Sequence, residues 1–198
     1  MRTLKKLSLQ QLNVEAHMMR ELDQKAILGG LGPATTTLPY CFIMPDMPMS
    51  MTPQDGNECV AATLGYISSL YGNSSQDESY FVNSWESQNP NADVYDNGMS
   101  STYSQMNNFV GQSFSTCTLQ QAGGILGALN QGDPVFVQMS NTGTSQQHAV
   151  TVIGYDSSPN NPNLALMDPA TGSITHMSLS DFNSKAKNAT VITGPCTP

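Results

Sequence analysis

His148-Ala149-Val150-Thr151-Val152-Ile153-Gly154-Tyr155 is followed, after the polar turn Asp156–Pro162, by Asn163-Leu164-Ala165-Leu166-Met167-Asp168. Both runs are short, apolar or β-branched, and bounded by Gly, Pro and Asn, so they read as strands. Joined by so short a turn they pair antiparallel, which places His148 and Asp168 at the same end of a sheet. Upstream, Pro134-Val135-Phe136-Val137-Gln138-Met139 predicts another strand. Downstream, Ser173–Met177 and Thr190–Thr193 predict a further strand pair, with a short helix over Leu179–Ala186 between them.

Before this sheet the period is different. Val60, Leu64, Ile67 and Tyr71 recur at steps of four, three and four, which predicts a buried helix starting at Cys59 and ending at Gly72-Asn73. Residues 73–98 read as polar and irregular, with Tyr80, Phe81 and Trp85 as core anchors; helices are predicted over Ser100–Val110 and Leu119–Asn130. Helices first and an antiparallel sheet afterwards define an α+β fold. The compact domain is expected to span residues 51–198, preceded by a Pro- and Met-rich linker or pro-segment over 31–50.

Charge marks a boundary at residue 30. Residues 1–30 carry five Lys or Arg and three acids, a net +2, whereas the remainder has only Lys185 and Lys187 against twelve acids, a net −10. A body so acidic cannot neutralise a row of phosphates, which excludes nucleic acid as a partner. No apolar run approaches the roughly 20 residues that span a bilayer, so no membrane insertion is expected. Gln10, Gln11, Asn13, Glu15 and His17 also interrupt any secretory-type apolar stretch. Residues 4–28 have the spacing of an amphipathic helix stopped by Gly29-Gly30.

A cysteine nucleophile needs a base beside it and donors for the oxyanion that develops. Free thiols titrate at about 8.5, and a helix N-terminus together with an imidazolium lowers that value. Cys59 stands where a helix begins, after the turn-like Gln54-Asp55-Gly56-Asn57-Glu58, and Gln54 is within reach to offer a side-chain amide near the sulfur. His148 supplies a candidate base and Asp168 a carboxylate that can orient it. A small buried cysteine and a structural histidine are the bland alternatives; the two together with Asp168 at one sheet end are harder to dismiss.

The order of Gln54, Cys59-Val60-Ala61-Ala62, His148-Ala149-Val150, Gly154-Tyr155-Asp156 and Asp168-Pro169 resembles the papain-like cysteine peptidases, closest to their bacteriocin-processing branch. The likeness covers roughly residues 51–198 and implies N-terminal helices, including the nucleophile helix, packed on a C-terminal antiparallel sheet. It implies a Cys59/His148/Asp168 triad, Gln54 in the oxyanion hole, and peptide hydrolysis through a thioester. That family often has one more residue between the Gln and the Cys, and a shorter turn between the His and the Asp.

A second resemblance lies in residues 1–30. Leu7-Ser8-Leu9, a helix and Ile27-Leu28-Gly29-Gly30 are similar to double-glycine leaders of the Bacteroidales type. It implies cleavage after Gly30 by the leader-cleaving peptidase of an ABC exporter, and a secreted or periplasmic product acting on a peptide or protein substrate. No cofactor is implied and no metal site has suitable ligand spacing: His17 lies in the leader and His176 stands alone. With Cys59 free, Cys41, Cys117 and Cys196 allow at most one disulfide, of undetermined pairing. Rival readings are an acyl or amide transferase of the same fold and a non-catalytic secreted effector or bacteriocin-like cargo.

Overall fold

The computed structural model describes residues 40–43 (backbone only), 48–140, 147–156 and 162–196. These belong to one compact unit, Tyr40–Pro198. The leader helix and the Gly29-Gly30 cut lie outside the described residues. In chain order the elements are β1 (Tyr40–Ile43), α1 (Cys59–Leu70), α2 (Glu78–Gln88), α3 (Val94–Asn97), α4 (Tyr103–Ser113), β2 (Phe114–Thr118), α5 (Ile125–Asn130), β3 (Val135–Ser140), β4 (Gln147–Asp156), β5 (Asn163–Asp168), β6 (Ser173–Ser178), α6 (Leu179–Lys185) and β7 (Ala186–Pro195). Helices thus precede an antiparallel sheet of order β2-β7-β3-β4-β5-β6, and the fold is α+β. β1 joins it beside β4, with Ile43 opposite Gly154 and Tyr40 opposite Asp156.

The central strands are buried on both faces, which explains why they read as continuous apolar runs rather than alternating ones. On one face Val60, Leu64 and Ile67 of α1 pack with Phe81, Trp85, Phe109, Phe136 and Ile192. On the other, Val135, Val137, Val152, Leu164 and Leu166 meet Ala128 and Leu129 of α5 and Phe182 of α6. Burying each large side chain of this kind contributes about 1.5–3 kcal/mol. The Trp85 and Phe109 rings meet edge to face, with centroids 5.1 Å apart.

Several expectations change. Residues 73–98 hold two helices rather than irregular chain: Asp77 accepts from the Tyr80 N–H and caps α2, and Asp93 caps α3 in the same way. Phe81 and Trp85 are core residues as expected, but Tyr80 is 40% exposed because it sits on the outer side of that helix. The helix expected over Leu119–Asn130 begins only at Ile125, since Gly123 and Gly124 both adopt positive φ. Strands β6 and β7 form but do not pair; β6 is the sheet's edge beyond β5, and β7 lies between β2 and β3.

Candidate active site

Cys59 is the first residue of α1, and no side chain caps that helix end. The Cys59 N–H takes no partner among the described residues, so the helix start offers a free donor beside the sulfur. Two contacts fix where this end lies. One turn along, the buried Thr63 donates from its hydroxyl to the Ala149 carbonyl at 3.2 Å, which holds α1 against the His148 end of β4. In addition, α1 can approach α2 closely because residue 65 is glycine: a Cβ there would stand 2.7 Å from the Glu78 nitrogen.

β4 and β5 pair with Thr151 opposite Met167. Continuing that register, Asp168 falls one same-face step from His148, a separation that side chains can bridge. His148 Nε2 and Asp168 Oδ1 are 2.7 Å apart, with both side chains about one-fifth exposed. This leaves Nδ1 as the ring nitrogen for Cys59, whose sulfur lies near enough to act on the charge of the imidazole. Burial opposes charge on the ring, but the Asp168 carboxylate and the Cys59 sulfur outweigh it and hold the His148 pKa up at about 9. For Asp168 burial likewise works against the charged form, yet the ring's hydrogen bond and charge and the Ala170 N–H keep the carboxyl below the usual carboxylate range.

The loop carrying Gln54 is tied to both sides of this group. Its own N–H donates to the Pro169 carbonyl at 2.8 Å, next to Asp168. Asn57 donates from its backbone to the Tyr95 carbonyl at 2.9 Å and from its side chain to the Asp96 carbonyl at 2.6 Å. Gly56 permits that approach, since a Cβ would lie 2.5 Å from the Tyr95 carbonyl and φ is +50°. The Gln54 Nε2 group donates to the Gly56 carbonyl at 2.9 Å, which leaves its second N–H available.

Cys59, His148 and Gln54 line one cleft of about 560 Å³, with Asp168 behind the imidazole. The far wall is the segment Asp96–Ser101, and Gln138 of β3 contributes beside Ala149. Sequence reasoning missed this wall and Gln138; the one available signal is a lone polar residue in the apolar run Val135–Met139. Cys117 and Cys196 are unbonded thiols, as is Cys59. Among the described residues no three His, Cys, Asp or Glu side chains are grouped to hold a metal ion, and no helix is long and apolar enough to cross a membrane.

Helices ahead of an antiparallel sheet, with a cysteine heading the first helix and a His–Asp pair at one sheet end, define the papain-like class of fold. Within that class the chain belongs to the Peptidase_C39 like family, which matches residues 46–189. No curated protein matches the chain.

Proposed function

We propose that this protein is a cysteine peptidase that hydrolyses peptide bonds through a thioester on Cys59, and that it works outside the cytoplasm after its leader is cut behind Gly30. The observation that carries the catalytic reading is the His148–Asp168 pair, 2.7 Å apart, with His148 sharing the wall of an open cleft with Cys59 at the start of α1. In this mechanism His148 takes the Cys59 proton and the sulfur adds to the substrate carbonyl. The oxyanion is met by the Cys59 N–H and the free N–H of Gln54. The intermediate expels the amine, to which the imidazolium returns the proton. Water, deprotonated by His148, then cleaves the thioester and releases the acid and the thiol. Asp168 keeps the ring oriented and stabilises its charge.

The export reading is supported by the charge change at residue 30 and by the Ile27-Leu28-Gly29-Gly30 pattern. An ABC exporter with a leader-cleaving peptidase is then the partner. The catalytic reading is tested by labelling the protein with an epoxide-type thiol probe at neutral pH. Cys59 is expected to react selectively over Cys117 and Cys196, and Cys59→Ala to lose hydrolysis of a mixed peptide library by several orders of magnitude. Equal labelling of the three thiols, or hydrolysis retained by Cys59→Ala, overturns it. Mass spectrometry of the natively exported protein should find Leu31 as the N-terminus.

A further inference from the structure

The cleft wall contains a side-chain amide that the mechanism does not use. Gln138 is only 4% exposed, yet it lines the cleft directly across the strand pair from Ala149, the neighbour of His148. Its Oε1 accepts from Asn188 Nδ2 at 2.9 Å. The Asn188 amide is itself oriented by α4: Nδ2 also donates to Asn107 Oδ1 at 2.7 Å, and that oxygen receives the Thr190 hydroxyl at 3.0 Å. A chain of donors therefore sets which end of Gln138 is oxygen. Its Nε2 amino group makes no hydrogen bond among the described residues, in a side chain that lines the cleft.

A donor left unmade in the cleft is penalised, so an aliphatic side chain seated against Gln138 is disfavoured. Asp96, exposed on the opposite wall and in no ion pair among the described residues, disfavours a carboxylate. A lysine would present a donor to the Gln138 donor. A primary amide fits, because its carbonyl accepts from Gln138 Nε2 and it brings no charge.

We propose that the Cys59 cleft selects substrates with a neutral amide side chain, Gln or Asn, next to the bond cut, and that Gln138 is the residue that specifies it. The proposal rests on the peptidase reading above. Gln138 touches the substrate side chain and not the reacting atoms, so its effect falls on selectivity.

The test is cleavage of a mixed synthetic peptide library, with residues on both sides of each cut read by mass spectrometry. The wild-type protein should enrich Gln and Asn at one position by about tenfold over Leu and Glu, the factor expected for one hydrogen bond made or lost. Gln138→Leu should move that position to Leu and Met. Gln138→Glu keeps an oxygen for Asn188, and hence the network that the Leu variant disrupts; it should move the position to Lys and Arg. A library cut without amide enrichment, or an enrichment unchanged in both variants, overturns the assignment while leaving the peptidase reading intact. A library left uncut by the wild-type protein overturns both.

Discussion

The His148 ring carries its proton up to a pH of about 9, although burial disfavours the charge. The upper limb of a rate profile therefore reports the loss of the His148 proton. In the proposed mechanism this proton serves the leaving amine, and it is lost as pH rises through that value. We therefore expect kcat/KM to fall on the alkaline side near pH 9. In Asp168→Asn the carboxylate that raises the ring's pKa is gone, and the limb should move to lower pH with a reduced maximum. A kcat/KM profile of that variant with its alkaline limb still near 9 would show that Asp168 does not set the charge on His148. Cys59, His148 and Asp168 were legible in the sequence because each marks the end of a strongly patterned element. Gln138 was not, because its role depends on Asn188, 50 residues further along in β7, and on Asn107 in α4.

Between elements, the contact that positions the Cys59 helix also carries an electrostatic load. Glu58, just before Cys59, acts on Glu78 at the start of α2, and Gly65 lets the two helices approach. Burial, then the neighbouring Glu58, then Asp55 and Asp77 raise the Glu78 carboxyl to about 7. Its ordinary value is 4.5, so the folded protein holds a proton that the unfolded chain has released between those two values. The stabilising contribution of that proton is whole below pH 4.5 and is lost as pH rises through about 7. Glu78→Gln, which keeps a hydrogen-bonding side chain without the charge, should raise the melting temperature at pH 8 by a few degrees and leave it nearly unchanged at pH 4. Equal shifts at both pH values would remove Glu78 titration as the cause. Helix α2 itself was hidden in the sequence because its face is narrow: Phe81 and Trp85 are its only buried residues, and apart from Tyr80 and the partly buried Val82 the rest of Glu78–Gln88 is polar. The Asp77 cap and the four-residue spacing of those aromatics were the signals present.

At the scale of the whole unit, the sheet draws on chain that reads as linker. Periodicity places the start of the compact region near Met51, yet Tyr40–Ile43 pairs with β4 through Gly154, Tyr155 and Asp156. Ser50 then bridges to Ser173, the Met51 N–H donates to the Gly172 carbonyl at 2.9 Å, and Pro48 accepts from the Tyr66 hydroxyl at 3.0 Å. Four residues among prolines and methionines carry too little pattern to announce a strand; their pairing is dictated by the length of β4, which extends past the end of β3 and leaves its last residues an open edge. The same segment could also have been an inhibitory flap over the cleft, in which case removing it should raise activity. The sheet contacts argue for the opposite outcome. A chain beginning at Leu31 retains β1 and the Ser50 bridge, whereas one beginning at Met51 loses both, together with several backbone hydrogen bonds at about 0.5–1.5 kcal/mol each. We expect the shorter chain to unfold at a lower temperature and to be no more active per folded molecule than the longer one. Thermal unfolding and active-site titration on the two chains decide it: a Met51 chain that is equally stable and more active would make residues 31–50 a removable inhibitor instead of part of the sheet.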